Sequence, residues 1–200
     1  MIRLQCATGN QGKLREFRMA AGLAAVEIEL LPGFKQIEPC VEDGRTFEEN
    51  AAIKALYYGR HSAGLLFADD SGLEVDALDG APGVFSARFS LMHPPVEGAP
   101  MTVDEANNRL LLEKLRGVEN RAARFVCAIA LAEAGKLRGL WRGAVEGTVI
   151  DEARGKGGFG YDPLFYCPRV GCTFGEATQE QKFAVSHRGQ ALRKMLDAIG

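Results

Sequence analysis

Long apolar runs are missing from this 200-residue chain. None approaches the roughly 18 residues that a membrane-spanning helix needs, and the opening "MIRLQCATGN" turns polar too early for a secretory leader. A one-sided charge is missing too. Against 26 Asp and Glu stand 24 Lys and Arg, a formal net charge of −2, which argues against a protein that coats a nucleic-acid polymer. A small phosphorylated ligand stays possible, because it needs only a local cluster of cations. Cysteine pairs with metal or redox spacing are absent as well. Cys6, Cys40, Cys127, Cys167 and Cys172 are odd in number and scattered, without C-x-x-C spacing or neighbouring histidines to complete a zinc set. Cys6 and Cys127 fall in apolar segments, where a free thiol acts as a small hydrophobe. These absences predict a cytoplasmic protein with reduced thiols. Neither an internal repeat nor a linker divides the chain, so residues 1–200 read as a single domain.

What is present is the alternation of an α/β protein. "IRLQCA" reads as a strand, "TGNQG" as a loop, and an amphipathic helix follows from about Lys13. Leu14, Phe17 and Ala21 share its apolar face, with Arg15, Glu16 and Arg18 on others. "VEIELLP" is the next strand. Thr46 and Glu49 form a capping-box signature for a second helix, "TFEENAAIKALYYGR", and "LLFAD" is a short apolar strand. The proline-bearing segment 90–101 reads as an exposed loop, and Thr102 with Glu105 caps the helix after it. "ARFVCAIALA" and "KLRGLWRGAVEGTVI" read as strands. A glycine-dense stretch follows, and a final helix starts from about Gly189. The pattern predicts an α/β fold: a mixed β-sheet flanked by helices, with two lobes around a central cleft.

Four polar clusters carry candidate chemistry. In "ATGNQGK", a strand-loop-helix junction offers backbone N–H groups to an anion, with Thr8, Asn10 and Lys13 as further donors. It is not a P-loop: the Gly9–Gly12 spacing is too short, and Leu14 stands where the hydroxyl residue belongs. A plain turn with an N-cap explains the same residues. Asn50 and Lys54 share a helix face, so Lys54 either enters a cleft or points to solvent, and Glu42 lies in the preceding loop.

The third cluster is "ADDSG". Magnesium takes oxygen ligands, usually one or two carboxylates plus phosphates and water. If the strand continues, Asp69 and Asp70 point to opposite faces, so one serves the metal or water while the other orients a neighbour. Glu74, Asp76 and Asp79 read as surface charges. Last come "GKGGFGYDPLF" and "SHRGQAL". Phe159 and Tyr161 offer aromatic faces, Asp162 an acceptor, and His187 and Arg188 donors, a mixture suited to a base pocket.

Together "ATGNQGK", "TFEENAAIKA", "ADDSGLEVDALDGAPGVFSARFS", "GGFGYDP" and "SHRGQAL" resemble the Ham1/inosine-triphosphate pyrophosphatase family, in the family's order across residues 4–196. The likeness is to its bacterial dITP/XTP branch. It implies hydrolysis of non-canonical purine nucleoside triphosphates (dITP, ITP, XTP) to monophosphate and pyrophosphate, with Mg2+ as cofactor and a homodimer as assembly. It implies that Thr8, Gly9, Asn10, Gln11, Gly12 and Lys13 hold the triphosphate, helped by Lys54. Asp70 would be proton acceptor and magnesium ligand, Glu42 a second acidic metal contact, and Ser71 a substrate contact. Phe159, Gly160, Tyr161, Asp162, Lys182, His187 and Arg188 would line the nucleotide pocket. The segment around Pro94–Pro100 departs from the shorter loop expected of that family. Two alternatives remain beside this reading: a Maf-type pyrophosphatase for modified pyrimidine nucleotides, and a nucleotide-binding sensor without turnover.

Overall fold

The apolar segments become the strands of one mixed sheet in a computed structural model of the chain, which describes residues 2–22, 26–93 and 102–200. Strands β1 (Ile2–Cys6), β2 (Val26–Leu30), β3 (Leu65–Val75), β4 (Ala122–Glu133), β5 (Lys136–Val149), β6 (Phe165–Cys167) and β7 (Cys172–Thr173) take the order β2-β1-β3-β4-β5-β6-β7. β1 runs parallel to β2 and β3, whereas β5–β6 and β6–β7 are antiparallel. Helices α1 (Gln11–Ala21), α2 (Phe47–Gly59), α3 (Val103–Lys114), α4 (Gln179–Val185) and α5 (His187–Ile199) complete the α/β fold. None of the described helices is long and apolar enough to cross a membrane. The cysteines are all free thiols.

The chain divides into two compact units, each assembled from separate segments. Unit 1 comprises Met1–Asp70, Val126–Ala144 and Ser186–Gly200. Its core includes Leu4, Phe17, Leu66 and Phe67, all fully buried, with the Phe17 and Phe67 rings meeting edge to face at 5.1 Å. Unit 2 comprises Ser71–Phe125 and Val145–Val185. Phe125, Phe165 and Phe174 pack there with Leu73, Leu111 and Leu115. Each such buried side chain contributes about 1.5–3 kcal/mol.

Several boundaries differ from the sequence-based expectation, and each has a local cause. α1 begins at Gln11, not Lys13, because the Asn10 side chain accepts from the Lys13 N–H and makes Asn10 the N-cap. Glu16, expected on an outer face, is buried. At α2 the Thr46 hydroxyl accepts from Glu49 N–H, but the Glu49 carboxylate reaches the Arg45 N–H rather than that of Thr46 itself. α3 has the full reciprocal box of Thr102 and Glu105. α4 was not expected, although Thr178 and Gln181 exchange side-chain-to-backbone bonds at its start, a capping pair readable in "TQEQ". α5 begins at His187 rather than Gly189, since Ser186 caps it by accepting from the Gly189 N–H. The expected exposed loop at 90–101 falls mostly outside the described residues; Ser90–Met92 form a 3₁₀ turn.

The largest difference lies in β3, which does not stop at the aspartates but continues to Val75. A side-chain hydroxyl permits it. Ser86 Oγ accepts the Leu73 N–H at 2.9 Å and donates to the Gly83 carbonyl, and it fills the space beside Gly72. A Cβ at position 72 would lie 2.2 Å from that oxygen. Leu73 and Val75 are thereby delivered into the core of unit 2. Gly72→Ala is expected to destabilise the protein by about 1–3 kcal/mol through overpacking against Ser86, measured as a lowered urea midpoint at unchanged slope.

Candidate active site

Because β3 stays extended through Asp69 and Asp70, their side chains leave on opposite faces. Each buried carboxylate then needs a cation of its own, and unit 1 supplies them from different helices. Asp69 Oδ2 accepts from Lys13 Nζ of α1 at 2.8 Å, with Arg188 Nε of α5 at 4.0 Å and Cys127 Sγ of β4 at 4.0 Å. Asp70 accepts from two residues of α2: Lys54 Nζ at 3.0 Å on Oδ1, and Asn50 Nδ2 at 3.2 Å on Oδ2.

Electrostatics separates the two carboxyls. Burial would push Asp69 up, but Lys13, Arg188 and Lys54 outweigh it and hold the carboxyl below its usual range. For Asp70, burial prevails over Lys54 and Lys13, with Asp69 adding repulsion, and the carboxyl rises above its usual range. Lys54 also shifts upward: burial opposes its charge, yet Asp70, Asp69 and Glu42 together favour it. Both partners of the Asp70–Lys54 pair rise because Lys54 faces several carboxylates, whereas Asp70 is strongly desolvated. The result is a fixed ammonium beside a carboxylate made more basic than an exposed aspartate.

Glu42 shares that ammonium, its Oε2 lying 2.9 Å from Lys54 Nζ. Two carboxylate oxygens from distant points of the chain thus converge on one positive charge. Among the described residues no cluster of three Asp, Glu, His or Cys forms a ready metal cage. The donor set still fits magnesium, a hard ion that takes one or two carboxylates and leaves its other positions to phosphates and water.

Most of the "ATGNQGK" junction is accessible. Thr8 is buried and its hydroxyl accepts from the Asn10 N–H at 3.2 Å, while Gly9, Asn10 and Gln11 are exposed and Gly12 is half-buried. The N–H groups of Gln11 and Gly12 lie in the first turn of α1, where no intrahelical acceptor exists. Lys13 therefore does more than carry a charge at the helix start, because it also anchors Asp69.

In unit 2 the glycine-rich stretch makes a loop closed on itself. The Phe159 N–H donates to Asp162 Oδ2 at 2.8 Å, and Lys182 Nζ of α4 donates to the same oxygen at 2.6 Å. That ammonium also lies 5.1 Å from the Phe159 ring centroid, a cation–π contact. Phe159 and Gly160 are half-buried, while Asp162 and Lys182 are buried against each other. Tyr161 requires a correction. Its ring lies in the unit 2 core at 3% exposure and its hydroxyl donates to the Ser86 carbonyl, so it offers no aromatic face to a ligand. Ser71, half-buried, follows Asp70 as the first residue of unit 2.

His187 and Arg188 occupy the first turn of α5 in unit 1, both buried. Arg188 Nη1 pairs with Glu16 Oε2 at 2.9 Å, joining α5 to α1 behind Asp69. Glu16 and Asn50 are the residues of this site to which the sequence reading gives no role, although it puts Asn50 on the Lys54 face of its helix. The signal for Asn50 was its place four residues before Lys54. Glu16 carried a weaker one, three residues after Lys13 on a helix whose apolar face was assigned to Leu14 and Phe17.

Residues 4–198 match the model of the Ham1 family. A dITP/XTP pyrophosphatase of Acidobacterium capsulatum is 48% identical over 196 residues, spanning 98% of this chain and 97% of that protein. One from an Exiguobacterium species is 48% identical over 194 residues, spanning 97% and 95%. The solved structure of a HAM1 protein from Coxiella burnetii superposes with a TM-score of 0.83 at 36% identity, covering 100% of this chain and 98% of that one. The Staphylococcus aureus Ham1 protein gives 0.81 at 34%, covering 98% and 97%. In sequence over nearly its whole length, and in fold, the chain belongs to the Ham1 family.

Proposed function

We propose that this protein is a pyrophosphohydrolase that cleaves non-canonical purine nucleoside triphosphates (dITP, ITP, XTP) to the monophosphate and pyrophosphate. The observation that carries the reading is Asp70, a desolvated carboxylate gripped by Asn50 and Lys54 with Glu42 on the same ammonium. In the reaction a water oxygen bonds to the α-phosphorus, the bridging bond to the β-phosphate breaks, and the water proton passes to Asp70. A raised carboxyl pKa suits a general base, and positioning does most of the remaining work in phosphoryl transfer. Lys54 holds Asp70 in place and offsets phosphate charge. Lys13 and the exposed N–H groups of the Thr8–Lys13 junction receive the phosphate chain.

Asp70 and Glu42 would hold magnesium, which when bound supplies charge neutralisation on the departing pyrophosphate. For the base, Phe159 offers a ring to stack on and Lys182 a donor for a 6-oxo purine, and the family resemblance assigns His187 and Arg188 as further donors. A 6-amino purine would leave such donors unpaired, at about 1–3 kcal/mol each. A cytoplasmic location and a homodimer belong to the same reading.

A hydrolysis panel of dITP, XTP, dATP and dTTP tests it. Monophosphate and pyrophosphate are expected from dITP and XTP, with loss of turnover on chelation by EDTA and recovery on adding Mg2+. Diphosphate plus phosphate as products would refute the reading, and a preference for dTTP would point to pyrimidine nucleotides instead. Asp70→Asn is expected to lower kcat by roughly a hundredfold or more while the circular dichroism spectrum and the unfolding midpoint stay near wild type. Lys54→Met should reduce kcat/KM by at least about tenfold, since it strips Asp70 and Glu42 of their shared cation.

A further inference from the structure

α3 is firmly seated in unit 2. Its first turn carries the full capping box, Leu110 and Leu111 are buried, and Asn107 ties it to two backbone groups. The Asn107 side chain accepts from the Ser90 N–H at 2.7 Å and donates to the Ser86 carbonyl at 3.2 Å. From this helix two side chains four residues apart, Asp104 and Asn108, reach one residue of the glycine loop. The Gly160 N–H donates to Asp104 Oδ2 at 2.8 Å, and Asn108 Nδ2 donates to the Gly160 carbonyl at 3.0 Å.

The chemistry of the two groups leaves no ambiguity of direction. A carboxylate only accepts, so it takes the N–H. The carbonyl only accepts, so it takes the amide NH2 of Asn108. Asn108 keeps that orientation although its Oδ1 finds no partner among the described residues.

The geometric consequence concerns two peptide planes. The Gly160 N–H belongs to the Phe159–Gly160 peptide and the Gly160 carbonyl to the Gly160–Tyr161 peptide. Holding both fixes the rotation at Gly160, which has a φ of +63° that other residues rarely adopt. Phe159 hangs from the first of those planes. On its other side its own N–H is fixed by Asp162, so the ring's bearing is set from both ends.

We infer that Asp104 and Asn108 are positioning residues for the nucleobase: a clamp on Gly160 that aims the Phe159 ring without touching substrate. The inference rests on the nucleotide reading above and deepens it, because it assigns α3 to recognition of the base rather than of the phosphates.

The test compares wild type with Asp104→Ala, Asn108→Ala and Asn108→Asp, in dITP hydrolysis and in inhibition by IMP and by inorganic pyrophosphate. KM for dITP and the inhibition constant of IMP are expected to rise roughly threefold to tenfold in each variant, with kcat within about twofold. Inhibition by pyrophosphate, which has no base, should not move. Asn108→Asp should be at least as impaired as Asn108→Ala, since a carboxylate cannot donate to the carbonyl. Asp104→Asn keeps an acceptor and should restore wild-type constants. Unchanged KM and IMP inhibition would overturn the inference, as would equal weakening of IMP and pyrophosphate. A fall in kcat and unfolding midpoint that Asp104→Asn does not rescue marks a purely structural role and overturns it too. Failure of wild type to release pyrophosphate from dITP would instead sink the nucleotide reading itself.

Discussion

Two buried carboxylates on consecutive residues of one strand cannot share a cation when the strand is extended, because its side chains alternate. That constraint organises unit 1. Lys13 must come from α1 on one face, and Lys54 with Asn50 from α2 on the other. Arg188 of α5, itself balanced by Glu16, closes the first side. Removing the cation from a buried carboxylate typically costs about 3–5 kcal/mol, so the register of these helices on the sheet is tied to two adjacent charges. A cluster that looks like surplus acidity in the sequence is, in the fold, a requirement that particular helices be present and correctly placed.

The same arrangement divides labour between chemically identical groups. Asp69 is surrounded by cations that keep it ionised, which suits a residue that holds Lys13 in place. Asp70 is desolvated further than its cations repay, which leaves it hungry for a proton. Environment alone keeps one aspartate ionised and raises the proton affinity of the other.

Much of this was legible in the sequence and some was not. The strand-loop-helix start, the mixed sheet and the opposed faces of Asp69 and Asp70 followed from apolar periodicity and the two-residue repeat of a strand. The continuation of β3 past Asp70 did not. It depends on Ser86, fifteen positions beyond Ser71, filling the space beside Gly72. No local pattern announces such a contact. Tyr161 failed for a related reason: "FGYD" shows two aromatics side by side, but only the folded loop turns Phe159 partly outward and sends Tyr161 into the core. Glu16 was misplaced because helical periodicity assigns charges to solvent, and its buried partner, Arg188, lies 172 positions away. Short-range chemistry, such as the capping box of α3, could be read directly, whereas pairings across the chain could not.

Gly44 ties the loop before α2 to the chemistry in a way that its position alone hides. Its N–H donates to Asn50 Oδ1 at 2.8 Å, and a Cβ there would lie 2.6 Å from that oxygen. With Oδ1 engaged by the loop, the amide can present only its NH2 to Asp70. The loop that carries Glu42 therefore also sets the polarity of Asn50. Were it to peel away, Asn50 could turn its oxygen toward the carboxylate, and attraction would become repulsion. The seating of one glycine works as an orientation check on the Asp70 carboxylate two hydrogen bonds away.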